Sequence, residues 1–589
     1  MSNFVLVCDF SGKPVSDTEI KLLAVEIAQF GGQTNTHRIA ENLVLITNHD
    51  NDWQREPIFW NEPKGGGFVP HGLPSTMVSA SHLKQVLSES REDNRLFGRQ
   101  FEAVLWNDAS VSLIADAASR HAPYYCYQNN VLICGTRERL LLAHPKVSTE
   151  PDLDTVGERL AYRPPSPDRT VYKSVVSVPS GCKLRISGSD MQLTRWAQFS
   201  TRIDRTRSIE EFSDSLRTIT DELLLDYTIN PINGNPRGGL YFSGGLDSSV
   251  LAGLLKREGL DADYIALMHR FPGMPCDESD YQDSLLSESR LERKVINARM
   301  LEPELDLLEF TRQTRLPQLV ANPVGTDSAH FALEHALHSV LSGYGGDELF
   351  ATYNMSLLDH LVSGEMRGAR DHIRAHRVAD MAKGHLQLLP RYLRAQYRRR
   401  HMPAWLGPEL KSRRSLAKGM ESFVRLPGLQ GLAAERFNDC TNTGVRTIAR
   451  NHWGFLSDRF RFEVETPFYD PRLLHEILSV PETLRANTDD NRHLQRATYG
   501  AVLPQSIRER RGKVHFDYQY AADLQHPWIC ELLQNLRLGT DGLVDGPEIW
   551  SLHQRLERAF CENVHAIPAL AGRLWAVIGM EAWWRETYY

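Results

Sequence analysis

An α/β fold in two parts is predicted: a β-rich region over residues 1–200, then residues 201–589 on a doubly wound parallel sheet with helical insertions. Three observations lead there. Short apolar runs separated by Asn-containing turns fill the first 200 residues. Beyond them, apolar runs alternate with amphipathic stretches of helical length, the order that builds a parallel sheet. Two of those runs end in a glycine-rich turn that opens a helix, at GGLYFSGGLDSS (238–249) and SVLSGYGGDELF (339–350).

In chain order, residues 3–10 read as a strand that carries Cys8. Glu102–Trp106 and Val111–Ala115 form a hairpin around Asn107-Asp108, and 123–127 with 131–134 form a second around Asn129-Asn130. A Pro-rich stretch (163–168) leads into a further apolar segment, 171–178, and a turn at Pro179-Ser180-Gly181. Phe212, Leu216, Ile219, Leu223 and Leu224 recur at helical spacing over Ile209–Tyr227. Strands are predicted at 240–242, 263–268, 305–309 and 339–341, with a charged helical segment over 277–301. Residues 355–450 read as largely helical. Their basic run, 367–401, is a solvated face or a dock for a peptide or acidic partner. Pro403 to Leu406 mark a turn. Residues 494–504 read as a helix ending at Pro504, and the remainder as helical, packed through Trp550, Trp575, Trp583 and Trp584.

Composition narrows the function classes. At 589 residues the chain exceeds a single core. A net charge of -7 gives no reason to invoke nucleic acid. No apolar run reaches the length of a membrane span, and the first residues lack a signal-peptide pattern. The eight cysteines form no CxxC pair, so neither a zinc site nor a disulfide framework is indicated. A reducing cytoplasm is the expected compartment.

The two glycine corners carry the chemistry. A strand, a tight Gly turn and a helix N-terminus gather backbone N–H groups and a positive dipole end around one point, which suits an anion. Ser243, Ser248 and Ser249 add hydroxyls, Gly244, Gly245 and Leu246 add backbone donors, and Asp247 adds a carboxylate that phosphate would repel without a divalent cation. The loop lacks the GK[ST] ending of a Walker A motif.

SGGLDSS resembles the pyrophosphate loop of the ATP pyrophosphatases, the group that includes asparagine synthetase. The resemblance implies ATP cleaved between its α- and β-phosphates and AMP attached to a carboxylate. SGYGGDELF resembles the SGxGxDE segment of the same group. It implies that Gly343, Gly345 and Gly346 face the nucleotide and that Asp247 and Asp347 share Mg²⁺. Met268 falls where relatives hold the adenine ring; as a bare sequence feature it reads equally as a core methionine. Residues 456–470, LSDRFRFEVETPFYD, resemble the family's VExRxPFxD motif: Glu463, Pro467, Phe468 and Asp470 match, while Glu465 replaces the usual arginine and reverses a charge near the substrate side. Lys513, in RERRGKVHF (508–516), falls on the family's catalytic lysine, which would neutralise the departing pyrophosphate and the oxyanion. Alone, it reads as a surface lysine.

Residues 101–106, Ile114-Ala115-Asp116, Pro123-Tyr124-Tyr125 and Val178-Pro179-Ser180-Gly181 follow the order of the glutaminase-like (Ntn-type) domain of asparagine synthetases. That domain needs a cysteine at its new N-terminus, where its α-amine assists the thiolate. Here position 2 is Ser2, and Cys8 lies inside a predicted strand. The expectation is a degenerate domain that makes no ammonia. Tyr344 stands where asparagine synthetases carry Glu and β-lactam-forming relatives carry Tyr, there paired with a glutamate that has no identified match here. It reads either as a base or relay, or as a pocket wall. Together these features resemble the lasso peptide cyclases. They imply a precursor peptide as substrate, closed into a macrolactam, and the leader peptidase of the same pathway as a partner. A β-lactam synthetase-type enzyme, an ammonia-dependent asparagine synthetase and a non-catalytic scaffold are the alternatives.

Overall fold

The computed structural model describes residues 2–49, 57–70, 98, 101–118, 120–163, 166, 168–200, 202–227, 238–287, 289–351, 370, 402–413, 436–438, 440–441, 444–485, 490–510, 517–562 and 566–589. Lys513 and nearly all of the basic run at 367–401 lie outside these residues.

Two six-stranded sheets dominate the first 200 residues, and all their pairings are antiparallel. Strand Asn3–Asp9 lies between Leu43–His49 and Val131–Gly135. Because side chains alternate along a strand, Phe4, Leu6 and Cys8 face the second sheet, whose Phe68, Val104 and Leu113 complete that core. Val5 and Val7 face the other way, onto Leu23 and Ile27 of helix Asp17–Ala28. Asn129 and Asn130 both take positive φ (52° and 63°), the pair of left-handed residues that a two-residue hairpin turn requires. In the expected apolar segment 171–178, only Val176–Ser177 pairs as a strand.

After helix Ile209–Tyr227 the architecture changes to one parallel sheet. Its strands are β1 (Gly238–Phe242), β2 (Tyr264–Arg270), β3 (Glu292–Asn297), β4 (Ser339–Ser342) and β5 (Glu463–Glu465), in the spatial order β3-β2-β1-β4-β5. The order reverses between β1 and β4. In such sheets the crevice at the strands' carboxyl ends, beside the reversal, is where ligands bind.

Three expectations need correction. The 277–301 segment is not helical throughout: helix Ser279–Leu286 is followed by β3, an edge strand whose exposed, charged residues hide its period. The strand expected at 305–309 is helical instead, a π-turn (Glu304–Leu308) running into helix Glu309–Thr314, with buried Asp306 paired to Arg299 (2.8 Å). A short apolar run does not distinguish the two states. The helix near 494–504 ends earlier, at Tyr499, passes through a tight turn (Gly500–Val502), and Pro504 begins the next helical turn, Gln505–Arg508.

The two regions share a core. The C-terminal helix Ile567–Tyr588 places Trp575 and Trp583 in the same apolar cluster as Val5, Val156 and Tyr172 of the first region. The Trp583 indole N–H donates to the Tyr172 hydroxyl and the Arg315 carbonyl, both at 3.0 Å. Trp583→Ala should therefore cost about 3–5 kcal/mol of stability, read as a lower denaturant midpoint.

Candidate active site

β1 and β4 are hydrogen-bonded neighbours, with Leu240 opposite Leu341 and Tyr241 opposite Ser342. The turns that follow them therefore leave the sheet side by side. After β1 the chain turns at Gly244 (φ 78°), where a Cβ would meet the Gln282 backbone nitrogen at 3.0 Å, and helix Leu246–Arg257 begins. The Ser243 hydroxyl accepts the Gly245 N–H (3.2 Å) and lies 3.1 Å from the Ser248 hydroxyl, which donates to the Gly245 carbonyl (3.2 Å). Ser249 and Met268 are fully buried.

After β4 the second corner runs through Gly343, Tyr344 and Gly345 (φ 99°) into helix Gly346–Phe350. Contact between the corners is direct. A Cβ on Gly343 would lie 2.7 Å from the Ser248 backbone nitrogen, and one on Gly346 would lie 2.1 Å from Asp247 Oδ1. Glycine here is a requirement of backbone approach.

Each corner starts its helix with an acid in the first turn, Asp247 and Asp347. One guanidinium joins them. Arg492 donates to Asp247 Oδ1 (3.1 Å) and Oδ2 (3.3 Å), to Asp347 Oδ1, to the Gly346 carbonyl (2.8 Å) and to Gln495 Oε1 (2.6 Å). Gln495 in turn donates to Asp247 Oδ1 (2.6 Å). The acids keep partial access to solvent, at 20% and 32% of their side-chain surface, against 9% for Arg492. Arg492 already bonds both carboxylates, so a hard cation such as Mg²⁺ would have to share or displace it; among the described residues no cluster of three or more metal-ligating side chains accompanies them.

An aromatic wall closes the second corner. The Tyr344 ring meets Trp453 edge-on at 5.2 Å and lies 5.6 Å from Tyr469, and the Tyr469 ring occupies the space a Cβ on Gly345 would need (2.8 Å). Tyr469 belongs to the PFYD segment, which forms one tight turn, Pro467–Tyr469; Asp470 then caps helix Pro471–Ser479 by accepting the Arg472 N–H (2.9 Å). Glu465 does not present its reversed charge to open space: it is 3% exposed and paired at 2.8 Å with Arg120 of the first region.

Sequence reasoning missed Arg492, Gln495, Arg120 and Trp453. The stretch around Arg492, Asp489 to Gln495, carries no glycine turn, so no local signal marks it. A separate cavity of about 500 Å³ lies at the junction of the two regions, lined by Glu102, Arg120, Arg137, Arg450 and Asp458 among others. Burial pushes the Glu102 carboxyl up to about 8, against the pull of Arg137 and Arg450.

In the first region the Cys8 thiol is not poised as a nucleophile. Burial, with the Asp9 carboxylate beside it, pushes the Cys8 thiol up to about 12, so it is not a thiolate near neutral pH. The Ser2 hydroxyl is fully buried, 2.7 Å from His49 Nδ1.

Among solved structures, the chain is similar at 10% identity to glutamine phosphoribosylpyrophosphate (PRPP) amidotransferase from B. subtilis complexed with ADP and GMP (TM-score 0.19; 40% of this chain, 60% of that one). It is also similar at 10% identity to an allosteric regulatory enzyme of purine biosynthesis (0.20; 41% and 60%). A third likeness, at 14% identity, is to the U34-tRNA thiolase NcsA from Methanococcus maripaludis with its [4Fe-4S] cluster (0.17; 29% and 61%). The chain thus spans about 60% of the length of the structures it matches. No curated protein matches it. The profile of the asparagine synthase family matches residues 224–585, more than half of the chain and the whole of the parallel sheet, so the chain belongs to the asparagine synthase family.

Proposed function

We propose that this protein is an ATP-dependent amide ligase that adenylates a carboxylate and then passes the acyl group to an amine. The observation that carries the reading is the meeting of two acid-bearing glycine corners, Asp247 and Asp347, at the point where strand order reverses. The Gly244 turn and the positive end of helix Leu246–Arg257 would form an anion cradle for the β- and γ-phosphates, with Ser243 and Ser248 exchanging their present bonds to each other and to Gly245 for bonds to phosphate. Asp247 and Asp347 are the residues that would hold Mg²⁺, which when bound offsets phosphate charge. Arg492 contributes fixed positive charge to the same place.

In the first step a carboxylate oxygen attacks the α-phosphorus, the bond to the bridging oxygen breaks, and pyrophosphate leaves. In the second the amine nitrogen attacks the acyl carbon, loses a proton and expels AMP. Converting the carboxylate oxygen into part of AMP replaces a poor leaving group with a good one. The protein's share is positioning and charge stabilisation. Tyr344, held by Trp453 and Tyr469, stands at the second corner, where it would receive the amine proton or relay it. Lys513 would offset the charge of the departing pyrophosphate.

The finer reading is ring closure on a precursor peptide, joining its N-terminal amine to an Asp or Glu side chain. Buried Ser2 and the protonated Cys8 thiol do not favour an internal ammonia supply, which is consistent with an amine carried by the substrate or with ammonia taken from solution. The test incubates the protein with ATP, MgCl₂ and a synthetic peptide with a free N-terminal amine and an Asp or Glu side chain at a ring-forming spacing. AMP, pyrophosphate and a peptide lighter by one water are expected. ADP as the product would overturn the ligase reading. Formation of free asparagine from aspartate and ammonia, with no peptide product, would overturn the ring-closing one.

Two substitutions test the site. Asp247→Ala and Gly346→Ala should each lower AMP formation by about 100-fold or more, the second because its new methyl would collide with the Asp247 carboxylate. Ser2→Ala should leave amide formation unchanged in the same assay, since Ser2 is enclosed and has no step assigned to it.

A further inference from the structure

We infer that Arg120, in the first region, is a positioning residue for the second glycine corner. The inference rests on the ligase reading above. β5 is a three-residue edge strand, paired in parallel with β4: Ser339 lies opposite Glu463, Val340 opposite Val464 and Leu341 opposite Glu465. Glu465 is thus beside the last turn of chain before Gly343. Alternation puts Val464 into the apolar core behind the sheet and sends both glutamates to the opposite side, towards the first region. There Arg120 meets them: Nη1 to Glu465 at 2.8 Å, Nη2 to Glu463 at 3.0 Å, with a further bond from Nη2 to the Val464 carbonyl. His121 Nε2 adds a contact to Glu463 at 3.6 Å. All three charged side chains are at most 6% exposed.

Local structure aims Arg120. The Asp116 carboxylate accepts the backbone N–H groups of Ala118 (2.9 Å), Arg120 (3.1 Å) and His121 (2.8 Å), tying the Arg120 backbone to the end of the strand before it. The Asp116 carbonyl is itself bonded to the Gly181 N–H (2.6 Å), in the turn leading into the neighbouring strand. So the sandwich holds a loop, the loop holds one guanidinium, and the guanidinium fixes an edge strand. Downstream of that strand Tyr469 packs on Gly345 and Tyr344. Two buried carboxylates without this cation would draw β5 towards water and loosen the corner that carries Asp347. The charge reversal at position 465 is matched by a cation supplied from 345 residues away.

The test uses the full-length chain and the binding of a fluorescent ATP analogue in MgCl₂, with thermal unfolding as a control. Arg120→Met is expected to weaken binding by about tenfold or more, since it takes the bridging guanidinium away from two buried carboxylates beside the corner. Adding Glu463→Gln and Glu465→Gln to that variant is expected to bring affinity back to within about threefold, because the buried negative charge is removed and the shape is kept. Arg120→Lys, which keeps the charge but loses the fork, should fall between wild type and Arg120→Met. Wild-type affinity in folded Arg120→Met would overturn the inference, as would a triple variant that folds and binds no better than Arg120→Met. If Arg120→Met does not fold, the triple variant decides: folded and binding supports the inference, folded without binding or unfolded overturns it. Failure of the unmodified chain to bind the analogue would overturn the nucleotide reading itself, a distinct result.

Discussion

Bringing two carboxylates to one place is the constraint around which the nucleotide side of this molecule is arranged. Asp247 and Asp347 come from separate corners whose backbones touch, and only the missing side chains of Gly343 and Gly346 permit that approach. Like charges this near to each other repel by on the order of a few kcal/mol at the effective dielectric of a protein site. The guanidinium of Arg492 answers that repulsion with bonds to both acids and to the Gly346 carbonyl. A planar fork suits two partners at once, which a single ammonium would not do as well. The acids remain partly open to solvent, so the site is compensated without being sealed.

A second charge arrangement supports the first from behind. Edge strand β5 carries two glutamates on one face, and the sandwich of the first region supplies the arginine that makes their burial tolerable. The same region is tied to the C-terminal helix through Tyr172 and Trp583. It is therefore built into the core of the molecule. Its own potential nucleophiles are enclosed, Ser2 against His49 and Cys8 between two sheets. Among the described contacts, this region meets edge strand β5 through the Arg120 guanidinium.

Legibility in the sequence followed the range of the interaction. The Asn129-Asn130 turn, the apolar stripe of Ile209–Tyr227 and the strand–glycine–helix corners all depend on neighbours a few residues apart, and all appear where their residues indicate. Errors came where a local pattern served two structures. The leucines at 305, 307 and 308 fit a short strand or a helical turn, and packing against the C-terminal helix goes with the second. Glu292–Asn297, exposed on a sheet edge, carried charges that mimic a solvated helix. Glu465 was visible as a departure, but its consequence was not.

By itself, then, the sequence determined that two glycine turns would each follow a strand and open a helix with an acid in its first turn. Such features are written in the order of adjacent residues, where backbone sterics and side-chain spacing act directly. Only the tertiary structure decided that the corners would share Arg492 and that Glu465 would be matched by Arg120, across 245 residues from Asp247 in the one case and 345 in the other. A charge pair of that reach leaves no trace in local spacing. It exists because strand order and domain packing bring distant segments within a few ångströms, where burial makes the pairing compulsory.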